Sequence, residues 1–240
     1  MPSLEFNSVE LLHVAHLASE RAIVDFHSRR AALTLDSLVA AVFAAASVEA
    51  FTNDLADHVD VWRSAAGDLA FNATTPELIR AAQEIMAIDA ARQREQLTGK
   101  VRAAGCAPTG DRKRPDGREL QDLSRLITVR DAILHARAPR PAARPGLPEV
   151  MADLRRADLT VPREGANASV FFELASPRLA VWAYCTARRI MLAMLDLVPP
   201  NVEAVSSMRE VLRDPIRFPS DRCRLPDSRG WRPPSLATTA

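Results

Sequence analysis

The stretch LVAAVFAAASVEAF, residues 38 to 51, decides the fold. Alanine, valine, leucine and phenylalanine fill almost every position, and Glu49 is the single charged residue in it. This composition favours helix, and a helix that is apolar on all sides is buried on several of them. We therefore expect a helix that starts at Thr34 or Asp36, either of which could cap it, and continues to about Val61. Such a helix lies at the centre of a helical bundle.

Helical patterns recur along the rest of the chain. Apolar residues at helical spacing predict helices over about 8–27, 76–103 and 118–138, and Ser176-Pro177 is a strong helix start before PRLAVWAYCTARRIMLAMLDLV (177–198). Residues 159–161 and 170–172 could pair as a small hairpin, and the proline-rich PRPAARPGLP (139–148) is expected to be a linker. The sequence thus predicts an all-α fold, a helical bundle of about five long helices.

The composition limits the domain organisation and the partners. Residues 1–200 are expected to form the bundle, and residues 201–240 a short helix followed by an irregular tail rich in proline and arginine. The net charge of +1 means that any contact with RNA needs a local basic patch. The 3 cysteines have no paired spacing, which suits a reducing cytosol and argues against a zinc site. We expect no contact with a membrane, because the 38–51 run is too short to span a bilayer. We also expect a cytoplasmic protein without a bound metal or cofactor.

The segment VRDAILHARA, residues 129 to 138, holds the candidate chemistry. On a helical wheel Arg130 falls inside an apolar stripe formed by Leu120, Leu123, Ile127 and Leu134. An arginine that faces a core needs an anionic partner, and Glu49 is a candidate, with Asn53 one turn later on the same face. Asp54, Asp57 and other arginines compete for these contacts. Alternatively, the stem of Arg130 is buried while its head reaches solvent.

His135 follows Arg130 at a spacing of about 140° around the helix and about 7.5 Å along it. Convergence of both side chains on one phosphate would need the reach of arginine, a frayed helix end, or a second copy of the motif in a twofold dimer. A guanidinium suits phosphate oxygens, an imidazole can exchange protons with ribose oxygens, and Asp131 could orient His135 or a neighbouring arginine. These parts would suffice for metal-independent RNA cleavage. Arg137 and Arg140, just beyond His135, could contact phosphates.

The order of SVEAFTNDL (47–55), RDAILH (130–135) and SPRLAVWAYCTARRIMLAML (176–195) resembles the HEPN (higher eukaryotes and prokaryotes nucleotide-binding) superfamily. Its members carry an arginine, a polar residue and a histidine four to six positions beyond the arginine. The resemblance covers about residues 8–198, and its specific parts are RDAILH and SVEAFTN. It implies a helical bundle, commonly a homodimer, in which the motifs of two protomers form a ribonuclease site. The corresponding residues are Arg130, Asp131 and His135, where Asp131 replaces the asparagine that is frequent in the family.

Three functions are compatible with these features. The first is an RNA-cleaving or RNA-binding protein of the toxin or defence type, with a protein antitoxin as a further partner. The second, since some HEPN-like proteins are not nucleases, is a non-catalytic helical interaction protein in which Arg130 and Glu49 are structural. The third is a metal-binding bundle enzyme that uses His13 and His16, one turn apart on the first helix. No H-E-x-x-H pattern accompanies these histidines, and local hydrogen bonding at a helix border is the plainer interpretation.

Overall fold

A computed structural model of the chain describes residues 7–29, 34–64, 83, 96–106, 117–135, 146–161, 170–196, 209–210 and 212. This part of the chain is helical and contains no strand, which confirms the predicted all-α class. Its helices are α1 (Asn7–Arg29), α2 (Leu35–Ser64), α3 (Gln96–Cys106), α4 (Gly117–Leu134), α5 (Leu147–Arg156), α6 (Val170–Leu174) and α7 (Pro177–Leu195).

The predicted central helix is α2, which packs along α1 and α7 and also meets α3, α4 and α6. Thr34 precedes its first residue, as one of the two expected caps. The Thr34 hydroxyl lies 3.2 Å from the Ser37 hydroxyl, and the Thr34 carbonyl accepts the Ser37 N–H at 3.2 Å. The Thr34 N–H donates to the Ala175 carbonyl at 3.0 Å, just before α7. The start of α2 is therefore tied to the start of α7.

The contacts among α1, α2 and α7 are made largely by alanine. Fully buried alanines on these helices are Ala15, Ala18, Ala22, Ala40, Ala41, Ala44, Ala45, Ala180, Ala183 and Ala187. The Ser19 hydroxyl adds a polar contact, since it lies 2.8 Å from the Ala15 carbonyl oxygen and 3.1 Å from that of Ala180 in α7. Small side chains allow the helix axes to approach closely. The larger core side chains, such as Phe51, Leu126 and Trp182, fill the space beyond this contact.

The start of α7 confirms the expected capping. The Ser176 hydroxyl accepts a hydrogen bond from the Arg178 N–H at 3.2 Å, and Pro177 occupies the first turn. The helix ends at Leu195, where the sequence pattern predicted an end near residue 198.

Two predictions between α4 and α7 are wrong. The segment expected to be a linker already contains the start of α5, because Gly146, at φ 82°, precedes the helix and Pro148 lies in its first turn, where a missing N–H is tolerated. The expected hairpin does not form, since residues 170–172 belong to α6. The two segments nevertheless touch, because the Val161 N–H donates to the Glu173 carbonyl at 2.9 Å.

Several predicted segments lie partly outside the described residues. Of the helix expected over 76–103, the structure describes Gln83 and the C-terminal part, α3. Of residues 201–240, it describes Arg209, Glu210 and Leu212, which are helical. Leu212 is buried in the same core as α7, and its carbonyl accepts a hydrogen bond from Arg188 Nε at 2.5 Å. A residue beyond position 200 thus contributes to the bundle core.

The apolar character of α2 extends beyond the 38–51 run. By length and composition, the segment Leu35–Asp57 would suffice to cross a membrane, and half of its apolar window is buried inside the fold. The core helix of a bundle has the same composition, so this segment is weak evidence for a membrane location.

Candidate functional site

The buried face of α4 differs from the predicted stripe. It consists of Asp122, Leu123, Leu126, Val129 and Ala132. Leu134, which was assigned to the stripe, is 57% exposed. On a helical wheel the buried face is rotated by roughly a third of a turn from the expected one. Arg130 therefore lies at the edge of the buried face, and not inside it.

Arg130 makes the predicted contact with α2. Its Nη1 lies 2.6 Å from Glu49 Oε2, which confirms this ion pair. Its Nε and Nη2 lie 3.0 and 2.9 Å from Asp131 Oδ1. The side chain of Arg130 is 19% exposed and that of Glu49 is 48% exposed, so the expectation of a carboxylate buried within α2 is wrong. Glu49 lies on the solvent-facing side of α2, and Arg130 is the more buried partner of the pair.

The arrangement fixes the orientation of the guanidinium. An ion pair with a half-exposed carboxylate contributes at most about 1 kcal/mol to stability. Its structural effect is greater, because two carboxylates on different helices hold the Arg130 guanidinium between α4 and α2. Asp131 was expected to orient either His135 or a neighbouring arginine, and in the structure its carboxylate binds the arginine.

His135 is the first residue beyond α4 and is exposed. Its backbone N–H donates to the Asp131 carbonyl at 3.1 Å, which continues the helical hydrogen-bond pattern by one residue. Arg130 is directed towards α2, whereas His135 occupies the exposed end of α4. Each protomer thus carries both the candidate acid–base group, His135, and the candidate phosphate-binding group, Arg130, near the C-terminal end of α4.

Asn53, the second supporting residue, contacts α3. Its Oδ1 accepts a hydrogen bond from Lys100 Nζ at 2.7 Å, and Lys100 is 4% exposed. Asn53 lies one turn after Glu49 on the same line of α2, so neighbouring polar contacts join α4 and α3 to this helix. Sequence analysis missed Lys100. The available signal was its rarity, since arginine supplies nearly all of the basic residues.

A buried charge cluster on the other side of α4 was also missed. Asp122 is 5% exposed, and its Oδ1 accepts from Arg125 Nη1 at 3.1 Å. Arg125 also donates to Asp153 Oδ2 of α5 through Nε at 3.0 Å and Nη2 at 2.5 Å. Arg189 of α7 lies 3.5 Å from Asp122 Oδ2. The hydrogen bonds from Arg125, and then from Arg156, hold the pKa of the Asp153 carboxyl below its usual value. This cluster joins α4 to α5 and α7.

One histidine of α1, His16, packs against α7. His16 is 3% exposed, and its ring centroid lies 5.2 Å from that of Tyr184 and 6.2 Å from that of His13. Burial lowers the pKa of His16, the nearby Glu20 opposes this shift, and His13 adds to it. Within the described ranges, no group of three or more histidine, cysteine or acidic side chains is placed to hold a metal ion. The structure therefore presents His16 as part of the helix packing.

The predicted RNA-contacting residues Arg137 and Arg140 lie outside the described residues. The likeness to HEPN proteins stays a prediction that depends on the sequence segments quoted above. Comparison with known proteins gives no matching family model and no significantly similar curated protein or solved structure.

Proposed function

We propose that this protein is a HEPN-like, metal-independent endoribonuclease or RNA-binding protein that uses Arg130, Asp131 and His135. It acts as a cytoplasmic homodimer of the toxin or defence type and is controlled by a protein antitoxin. The observation that supports the proposal most is the last turn of α4. There the guanidinium of a mostly buried arginine side chain is oriented by Glu49 and Asp131, and an exposed histidine follows directly after the helix.

These groups have the chemistry that RNA cleavage requires. Arg130 presents a forked set of N–H donors that suits two phosphate oxygens, and it can stabilise the charge that builds up on phosphorus. His135 accepts the proton of the ribose 2′-hydroxyl as that oxygen attacks phosphorus. The resulting imidazolium returns a proton to the departing 5′-oxygen, which leaves a 2′,3′-cyclic phosphate and a free 5′-hydroxyl. Asp131 and Glu49 hold the guanidinium in place.

The test is cleavage of bulk RNA by the full-length protein in the presence of a chelator. We expect His135→Ala to lower the cleavage rate by about 100-fold or more, the usual effect of losing a general acid or base. Arg130→Lys keeps the charge but loses the fork, and we expect a clear loss there too. His13→Ala, at an exposed histidine of α1, is the matched control and should cleave like the wild type. Equal cleavage by the wild type, His135→Ala and Arg130→Lys would exclude this site.

One observation favours the alternative of a non-catalytic interaction protein. Two carboxylates already contact the Arg130 guanidinium and offset its charge, so it attracts a phosphate less than an arginine without acidic neighbours would. In that case Arg130→Ala lowers the free energy of unfolding by about 1 kcal/mol, as expected for a partly exposed pair, and His135→Ala changes neither stability nor RNA binding. Urea denaturation and filter binding of RNA, measured on both variants, separate the two functions.

A further inference from the structure

The outward sides of α1 and α2 carry apolar side chains that remain partly or largely exposed. Leu17 and Val24 of α1 are 38% and 61% exposed, and Leu35 and Val39 of α2 are 78% and 36% exposed. Single exposed apolar residues are ordinary, but these follow helical spacing on two adjacent helices. We call this surface, together with Arg21 and Asp36, the α1–α2 face.

An ion pair fixes how the two helices are aligned in this face. Arg21 Nε lies 3.2 Å from Asp36 Oδ1, and the Arg21 side chain is 59% exposed. Because α1 and α2 are antiparallel neighbours, this pair places Leu17 about level with Val39. It also places Val24 near Leu35, at the other end of the patch. Each apolar residue of α1 thus has an apolar residue of α2 beside it, and the charges of Arg21 and Asp36 lie between them.

This alignment makes the face complementary to itself. A twofold axis that runs parallel to the helices, between α1 and α2, places α1 of one protomer on α2 of the other. Apolar residues then meet apolar residues, and each Arg21 lies over the Asp36 of the second copy. An axis perpendicular to the helices would instead bring the two Arg21 side chains together, which is unfavourable. The face carries both charge signs, so it suits a second copy better than an RNA.

We infer that the α1–α2 face binds a second copy of this chain, with α1 of each protomer on α2 of its partner. The whole outward side of the two helices is large enough, because α1 is about 35 Å long and two helices side by side are about 20 Å wide; the residues named above occupy about 10 Å of that length. The resulting area of roughly 700 Å² is close to the approximately 800 Å² that each partner buries in a standard interface. Glu49 lies about 15 Å further along α2 than Val39 and about 80° around the helix from it, and a twofold axis parallel to the helices keeps this height the same in both protomers. The two Arg130 sites therefore lie at the same end of the dimer, a consequence that rests on the proposed function.

Sedimentation of the full-length protein tests the interface. The wild type should sediment as a dimer, at twice the chain mass of 26.3 kDa. Leu35→Glu and Val39→Glu should each raise the dimer dissociation constant at least tenfold. Phe172→Glu replaces an equally accessible apolar residue of α6, 57% exposed, and should leave the dimer intact.

Charge exchange between chains gives the sharper test. Arg21→Glu alone and Asp36→Arg alone should each weaken the dimer, because each places like charges across the interface. An equimolar mixture of the two variants should form a heterodimer, since an acid meets an arginine at both contacts: the introduced Glu meets the introduced Arg at one, and Arg21 meets Asp36 at the other. The pair within each chain stays broken. A monomeric wild type would overturn the inference, also if its exposed apolar residues bind lipid vesicles instead. A dimer that is insensitive to Leu35→Glu and Val39→Glu would overturn it as well. If the wild type is a dimer, the variants weaken it as described, and the wild type neither cleaves nor binds RNA, the result would contradict the proposed function and support this interface.

Discussion

Among single residues, His16 gives the stability of the fold a defined pH dependence. Its ring is buried against Tyr184, and burial lowers its pKa below the unfolded value of about 6.5. The unfolded chain therefore binds the proton more readily than the folded one. The contribution of His16 to stability is complete above about pH 6.5 and is lost as the pH falls below that value.

Urea denaturation at a series of pH values between 8 and 5 measures this effect. We expect the free energy of unfolding to fall with decreasing pH in the wild type, and to fall less steeply in His16→Gln. His13→Gln, at the exposed neighbour on the same helix, should reduce the slope much less than His16→Gln, because His13 is the smallest of the contributions to the lowered pKa of His16. An identical slope in His16→Gln would show that other groups cause the pH dependence.

The pairing of Arg130 with Glu49 could be predicted from the sequence, but the exposure of the two residues could not. A carboxylate in an apolar stretch and an arginine in a later helix are a pair that charge alone suggests. The exposure of Glu49 depends on which side of α2 is covered by neighbouring helices, and the two with the most extensive contact are α1 and α7. The same limit applies to Lys100 and Asn53, which meet across 47 positions of the sequence.

Among helices, α4 is positioned by Arg125. This side chain is 22% exposed and joins the buried Asp122 to Asp153 of α5. Arg125→Ala leaves Asp122 with the longer contact to Arg189, and we expect it to lower the free energy of unfolding by about 1–3 kcal/mol. Arg156→Ala removes another arginine that contacts Asp153 but is 78% exposed, and should cost less than about 0.5 kcal/mol. Chemical denaturation of both variants makes the comparison, and equal losses would contradict the structural role of Arg125.

Helices with strong local signals were predictable, and those that depend on tertiary contacts were not. α2 and α7 follow from a long apolar run and from the Ser176-Pro177 cap. α6 consists of the five residues VFFEL, a composition that also suits a strand, and its buried Glu173 is held by Arg155 of α5. The error of about a third of a turn on α4 has a similar cause. From the sequence, an aspartate such as Asp122 is expected at the surface. Its burial depends on the contacts of its carboxylate with Arg125 and Arg189.

At the scale of the whole molecule, Leu212 connects the segment after residue 200 to the bundle core. Leu212 is 2% exposed and lies in the same cluster as Met191 and Leu195. Arg209 Nη2 also donates to the Leu195 carbonyl at 2.5 Å, at the end of α7. We expect Leu212→Ala to lower the free energy of unfolding by about 2–5 kcal/mol, as for other buried leucines.

The control for this prediction is Leu134→Ala, at a leucine that is 57% exposed, which should change the free energy of unfolding by about 0.5 kcal/mol or less. Thermal or urea denaturation of the two variants gives the answer. A Leu212→Ala protein as stable as the wild type would mean that residues 1–200 complete the core by themselves.

The alanine contacts between α1 and α2 bear on the order in which the molecule assembles. Alanine has no rotamers to lose when it is buried, so this contact forms at a low entropic cost. The two helices also follow one another directly along the chain, and bringing them together closes only a small loop. We expect the α1–α2 hairpin to form early in folding, with α7 docking later onto a surface that is already in place.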